Sequence, residues 1–389
     1  MTELQQLINE LCPNGVKFAA LEECCKILDN KRKPVTKAAR QAGEYPYYGA
    51  NGIQDYVSDY IFDGIFVLVG EDGSVVTPSG NPVVNWATGK IWVNNHAHII
   101  EEKDGVLLRY LYHYLQTVNV SALIHGNIPK LTGGDFRAIK VPVPPLPVQS
   151  EIVRILDAFT ELTAELTAEL TARKQQYAHY RDTLLKLDNN VPSYTLKDIC
   201  LSIADGDHMP PPKADSGVPF ITISNITETR QIDFSNVMYV PREYYDKLAD
   251  KRKAKRDDIL YTVVGSFGIP VHISSKTEFV FQRHIAILRP NQQMIVPRYM
   301  YHIMQSTEFY KQADKAAKGA AQRTIGLSSL GNMTIPLPSI EEQKRIVAIL
   351  DRFDTLCNDI SAGLPAEIEA RQKQYEYYRD KVLTFEPAK

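Results

Sequence analysis

Residues 142–159, PVPPLPVQSEIVRILDAF, return as residues 336–353, PLPSIEEQKRIVAILDRF. Pro142, Pro144, Gln149, Ile152, Val153, Ile155, Leu156, Asp157 and Phe159 recur as Pro336, Pro338, Gln343, Ile346, Val347, Ile349, Leu350, Asp351 and Phe353, each 194 positions on. A period near half the chain length means two copies of one domain-plus-helix unit. The function must then be something done at two places.

The repeat extends in both directions. Tyr177, Tyr180, Arg181, Asp182 and Leu185 match Tyr375, Tyr378, Arg379, Asp380 and Leu383, and Arg109, Tyr110, Tyr112, His113 and Gln116 match Arg298, Tyr299, Tyr301, His302 and Gln305. Leu21 and Cys24 resemble Leu196 and Cys200. The stretch from Leu4 to Asn14 aligns with the tail of the first long helix, ending at Asn189, which predicts that the C-terminal helix lies beside the N-terminal one.

At 389 residues, 44% hydrophobic and 23% charged, the chain has the composition of a globular protein with two ordinary domains. No run is long and apolar enough to span a bilayer, and no signal peptide is visible, so a cytoplasmic protein is expected. Five cysteines at unmatched spacings (Cys12, Cys24, Cys25, Cys200, Cys357) predict reduced thiols. A net charge of −2 neither announces nor excludes a nucleic-acid partner, because the placement of charge decides.

The pattern predicts a short helix near residues 2–12, then irregular strands such as Gly64–Val69 between Asn-Gly and Asp-Gly turns. The proline cluster at Pro142–Pro147 closes the first domain, and a helix of about 40 residues follows from Gln149 to Leu187. Ile152, Leu156, Phe159, Leu162, Leu166, Leu170, Tyr177, Tyr180 and Leu184 give it one apolar stripe. So long a helix needs a partner, and the repeat supplies one from Glu341 to Leu383 with the stripe Ile346, Leu350, Phe353, Leu356 and Ile360. Gly363 and Pro365 should interrupt that second helix, with Pro365 in the first turn of its continuation.

The expected fold is α+β: two pseudo-repeated mixed α/β domains separated by two long antiparallel helices. The boundaries read as 1–19 (N-terminal helix), 20–146, 147–190 (central helix), 191–339 and 340–389 (C-terminal helix).

A finer repeat lies inside the first helix: Thr163-Ala164-Glu165-Leu166, then Thr167-Ala168-Glu169-Leu170, then Thr171-Ala172. Threonine is a poor choice for mere helix filler. Each tetrad adds about 6 Å and about 400° of rotation, a net 40°. One DNA base pair turns by roughly 35°. Adding a tetrad thus rotates one domain about as one base pair rotates a half-site.

With these features the chain resembles the specificity subunit of a Type I restriction–modification system. The likeness is carried by the two proline-rich entries with Gln149–Phe159 and Gln343–Phe353, by the Thr-Ala-Glu-Leu tetrads, and by the runs Gln176–Asp182 and Gln374–Asp380. It covers the whole chain and is loose in the globular domains. The resemblance implies that each globular domain is a target-recognition domain reading half of a split, asymmetric double-stranded DNA sequence, while the helices fix the unread spacer. It implies two methyltransferase subunits as partners, with two motor-nuclease restriction subunits as further partners. The chain itself would bind no cofactor: S-adenosylmethionine would sit on the methyltransferase, ATP and Mg on the restriction subunit. The Gly363-Leu364-Pro365 interruption has no counterpart in the first helix, so the two-fold symmetry would be imperfect.

Base reading needs donors and acceptors on exposed loops, with cations on phosphates. The first domain offers Lys31, Arg32, Lys33, Lys37 and Arg40, then Tyr47, Tyr48 and Asn51; the second offers Lys247, Lys251, Arg252, Lys253, Lys255 and Arg256 beside Tyr244 and Tyr245. The bland alternative is a solvated charge run in each. Gly70-Glu71-Asp72-Gly73 and Gly265-Ser266-Phe267-Gly268 each follow an expected strand and are read as equivalent turns that admit close approach. Asn94-Asn95-His96 corresponds to Gln282-Arg283-His284, and Lys130 and Arg323-Thr324 precede the proline-rich linkers. Amides suit adenine and arginine suits guanine. Tyr177, Tyr180, Arg181, Tyr375, Tyr377, Tyr378 and Arg379 exceed what a helix seam needs and are expected to bind the methyltransferase; completing the intramolecular bundle is their alternative role.

Catalytic signals are weak. There is no phosphate loop, and Met209-Pro210-Pro211-Pro212 lacks the Asn of an amino-methyltransferase motif. Glu101-Glu102-Lys103 has nuclease-like spacing but no counterpart in the second copy. His96 and His98 alternate and should share a strand face, yet no third ligand is apparent, so no metal is expected. A two-headed protein-binding scaffold is the main rival function; an enzyme acting on DNA with its own active site is the other.

Overall fold

The computed structural model describes residues 2–73, 75–188, 190–206, 210–320, 322–359 and 362–388. Asn189, Met209 and Ile360, named above, lie outside the described residues. The chain divides into two compact units, Met1–Glu165 with Ala370–Lys389 and Leu166–Glu369. Each unit takes in a share of the long helices. The first helix spans Leu146–Leu184, and the second is broken into Ile340–Asn358 and Leu364–Val382, with Pro365 in the first turn of the latter as expected.

Unit 1 is built on a six-stranded sheet in the order Lys26–Ile27, Ala97–Glu101, Phe62–Gly70, Val84–Val93, Ala42–Gly49, Gly52–Val57. Its central strand carries Val67, Leu68 and Val69, which are buried on both faces and so form a continuous apolar run. Unit 2 repeats the first four of these strands as Cys200–Asp205, Ile285–Pro290, Ile259–Thr262 and Pro270–His272. The units diverge beyond that. Unit 1 adds a hairpin to its sheet edge, whereas unit 2 builds a separate sheet from Met238–Val240, Val218–Ile221 and Val280–Phe281.

Residues that recur in sequence do the same work in each unit. Gln149 accepts from the Leu107 N–H (2.9 Å) and donates to the Gly105 and Pro144 carbonyls; Gln343 accepts from Val296 N–H (2.8 Å) and donates to Met294 and Pro338. Both glutamines are fully buried, and each ties the start of a long helix to the loop before a domain helix. Tyr110 donates to Pro142 O and Tyr299 to Pro336 O. Leu21 N–H bonds Ile139 O as Leu196 N–H bonds Met333 O. The Cys25 N–H then bonds Leu21 O as the Cys200 N–H bonds Leu196 O, so Cys25 is the true match of Cys200, one residue later than the sequence suggested.

A four-residue joint fastens helices to domain in each unit. In unit 1 the Tyr375 hydroxyl donates to His113 Nδ1 (3.0 Å), His113 Nε2 donates to Asp157 (2.8 Å), and Arg109 pairs with the same carboxylate (2.7 Å). In unit 2 the members are Tyr177, His302, Asp351 and Arg298, at 2.9, 2.6 and 2.6 Å. The tyrosine in each joint comes from the end of the other sequence copy. Closure of the chain ends agrees: Leu4, Cys12 and Val16 share a core with Tyr375, Val382 and Leu383, and Val16 N–H bonds Glu386 O.

This joint predicts a pH response. Burial pushes the His113 imidazole down to about 4 despite its bond to Asp157. His302 is lowered in the same way. An unfolded histidine protonates near 6.5, so between about 4 and 6.5 the unfolded chain binds more protons than the folded one, and stability falls as pH falls through that window. The melting temperature should be level above about pH 6.5 and decline below it, less steeply in His113→Gln. A melting temperature that rises on acidification to pH 5 would contradict the joint.

Candidate nucleic-acid interface

One end of the six-stranded sheet of unit 1 gathers four turns. The Gly49–Gly52 turn, the strand exit at Gly70–Gly73, the Asn94–His96 turn and the hairpin joining Ile124–His125 to Lys130–Leu131 meet there. Glu71 N–H bonds His96 O, Leu131 N–H bonds Glu71 O, and Gly73 N–H bonds Pro129 O (2.9 Å). Asn51, Gln54, Asp72, Gly73, His96 and Ile128 line a single hollow at this end. Asn94 is buried and shapes the turn, accepting from His96 N–H and donating to Gln54, while Asn95 is exposed.

Unit 2 repeats the same hydrogen-bond frame. Val263 N–H bonds His284 O, Ile325 N–H bonds Val263 O, and Gly265 N–H bonds Arg323 O (3.0 Å). Asp205, Arg283, His284, Gln322 and Thr324 line its hollow, with Gly265 against Gln322. Burial and the Arg283 charge hold the His284 imidazole below its usual range, so it presents one donor and one acceptor. The frame makes His96 and His284 equivalent, as the sequence suggested, and also sets Lys130 against Thr324. It also corrects the match of the glycine turns: Gly73 (φ 87°), not Gly70, stands where Gly265 (φ 70°) does. Both adopt the left-handed conformation that a side chain disfavours, which is why this pair recurs.

Several expected contact residues are committed elsewhere. Tyr47 is 1% exposed, and its hydroxyl serves the Val35 backbone, so it is not on an exposed loop; Tyr48 is buried beside it. Arg32 pairs with Glu71 (2.6 Å) and Asp29 (3.6 Å) and donates to Ala97 O, so both Arg32 and Glu71 are structural. Lys130 reaches Glu71 at 3.2 Å. Arg252 pairs with Asp205, which stands where Asp29 does in unit 1, and Lys253 donates to Asp246 O. Lys31, Lys33, Lys251, Ser266 and Arg283 are exposed, and Gln282 is half-buried. Arg323 pairs with Asp314 (2.7 Å) and lies over the Phe267 ring. Gln54, Ile128 and Gln322 were missed by sequence reasoning; the Gly126-Asn127 turn signal beside Ile128 was the available clue.

The metal and nuclease readings resolve into structure. His96 sits in a turn on Asp72, whereas His98 points inward to Asp29 (2.7 Å) and Leu131 O, so the two do not share a face as expected. Asp29, Glu71 and His98 are, among the described residues, close enough to share an ion, but the Arg32 guanidinium already supplies positive charge there. Burial works against the Asp29 carboxylate, yet His98, the Ile99 N–H and Arg32 together hold it below the usual range. Glu101 pairs with Lys26, Glu102 accepts from Leu108 N–H, and Lys103 donates to Glu23 O.

The helix aromatics divide by exposure. Tyr177 and Tyr375 are buried in the joints, which removes them from the expected methyltransferase surface, and Arg181 and Arg379 lie over those rings. Tyr378 stacks on Phe159 and Tyr180 on Phe353, while Tyr377 is 62% exposed.

The family model described as Type I restriction modification DNA specificity domain matches twice, at residues 13–173 and 189–370. A protein of Haemophilus influenzae described as a candidate type I restriction enzyme specificity subunit is 38% identical over 95% of this chain and 96% of its own. The EcoR124I/EcoR124II specificity subunit of Escherichia coli is 36% identical over 73% of this chain and 72% of its own. The solved S subunit of a Mycoplasma genitalium Type I restriction–modification system, 15% identical, superposes with a TM-score of 0.56 over 95% of this chain and 96% of its own, which shows a shared fold. With two family-model matches that reproduce the internal repeat, the chain belongs to the Type I restriction–modification DNA specificity family.

Proposed function

We propose that each unit reads one half of a split DNA target through its end-of-sheet turns, and that the long helices set the unread gap. The observation that supports this best is the common hydrogen-bond frame, which presents Asn51, Asn95 and His96 in one unit and Gln282, Arg283 and His284 in the other. The same frame with different polar groups is what two readers of unlike half-sites require. Lys31, Lys33 and Lys251 are exposed and suited to phosphate.

As a specificity subunit the chain is not the enzyme. On this reading two methyltransferase subunits dock on the helices, with exposed Tyr377 and Tyr180 among the contacts, and two motor-nuclease subunits join for restriction. S-adenosylmethionine belongs to the former, ATP and Mg to the latter. The setting is the cytoplasm; among the described residues no helix is long and apolar enough to cross a membrane, and all five cysteines are free.

Binding of duplex DNA by the co-purified complex, titrated with salt, tests this reading against a protein-binding scaffold. Affinity should drop about 10³-fold or more between 50 and 200 mM salt. Salt-insensitive binding without sequence preference would favour the scaffold.

A further inference from the structure

The hydrogen-bond frame identifies one position in each unit that differs sharply in chemistry. Gly73 N–H is stapled to Pro129 O, and Gly265 N–H to Arg323 O. The residue just before the stapled carbonyl is Ile128 in unit 1 and Gln322 in unit 2. Both lie on hairpins whose arms are bridged, His125 to Lys130 and Lys318 to Thr324, and whose first turn residue is a left-handed glycine, Gly126 (φ 82°) or Gly319 (φ 114°).

Neither residue helps to hold its unit together. Ile128 is 70% exposed, the most exposed large apolar residue among those described, and sits in a hollow otherwise lined by Asn51, Gln54, Asp72, His96 and small residues. Pro129 disfavours helical backbone at Ile128, and the Gly73–Pro129 bond holds the tip. An exposed isoleucine among these polar side chains is placed to meet an apolar feature of an otherwise polar ligand. Gln322 is likewise exposed, beside Arg283 and His284.

We infer that this stapled tip position is a base-reading position in both units, Ile128 contacting a thymine methyl group and Gln322 pairing with an adenine edge. The inference rests on the DNA-reading function proposed above. The thymine 5-methyl is the apolar group that the major groove offers, and a carboxamide matches adenine N6 and N7. The Gln322 amide has two donors and an acceptor for that bidentate contact, while Ile128 has none and discriminates by shape alone.

The test is to map methylated adenines genome-wide in cells expressing the methyltransferase partner with wild-type chain, Ile128→Ala or Gln322→Ala. Both side chains are exposed, and unchanged melting temperatures establish that the variants fold. Ile128→Ala should admit cytosine at one former thymine position of one half-site. Gln322→Ala should relax one adenine position of the other half-site, and in each case the remaining half-site and the gap should persist. In binding, exchanging that thymine for uracil should weaken the wild-type complex about fourfold, as loss of one buried methyl does, and leave Ile128→Ala unaffected. A wild-type motif retained at every position by both variants would overturn the inference while leaving DNA reading intact. Absence of any motif with the wild-type chain would overturn both.

Discussion

Removing Thr167–Leu170 from the long helix should leave both half-sites unchanged and shorten the gap between them, so that methylation of the original target is lost and a new, narrower target is used. One tetrad carries about 6 Å of rise and a net rotation of about 40°. The rotation matches the roughly 35° of one base pair, and bending absorbs the excess rise over about 3.4 Å. The deletion is tolerable because the segment is uniform. Leu162, Leu166 and Leu170 are each half-buried, and the Thr163 and Thr171 hydroxyls bond the Phe159 and Thr167 carbonyls four residues back. That backbonding satisfies the hydroxyls within the helix, which is how threonine is accommodated there. The division between the two units also falls here, at Glu165 and Leu166. If the bases within a half-site changed while the gap stayed fixed, the tetrads would not act as a spacer.

Tyr375→Ala should lower stability by about 3–5 kcal/mol, the cost of truncating a buried aromatic. In a unit of this size that is a fall of roughly 10 °C in melting temperature. The ring is 5% exposed, packs in the core with Val382 and Leu383, and its hydroxyl holds His113 Nδ1, which the truncation leaves unpaired. Tyr377→Ala, two residues on and exposed, should leave the melting temperature within about 0.5 kcal/mol of wild type. If Tyr377→Ala weakens co-purification with the methyltransferase while Tyr375→Ala acts through folding, the division of the aromatics stands. Equal melting temperatures for wild type and Tyr375→Ala would contradict the joint.

The legible and illegible parts of this protein separate along physical lines. Helices, the proline-rich entries and the closure of the chain ends were readable because they rest on periodicity and on matching residues. The recurrence of Gln149 as Gln343, or of His113 as His302, was visible, but its purpose was not, because their partners include Leu107 and Tyr375, 42 and 262 residues away. The basic runs misled in a specific way. Arg32 looked like a phosphate ligand, yet Asp29 and Glu71 converge on it only once the strands have paired. The glycine turns were misaligned by three residues because both carry a Gly-x-x-Gly spacing, and only the bonds from Gly73 to Pro129 and from Gly265 to Arg323 show which glycines correspond. Ile128 and Gln322 escaped notice because the Gly126-Asn127 signal marks only a turn, and the bonds that place both tips beside the sheet end come from residues far off in sequence.

Whether this chain holds two readers separated by a fixed gap is read out by single-molecule mapping of methylated adenines in cells expressing the chain with its methyltransferase partner. A single split motif, with two dissimilar half-sites and an invariant unread gap, is the predicted result. A soluble, co-purifying complex that adds no methylation, or that methylates one continuous short motif, would contradict it.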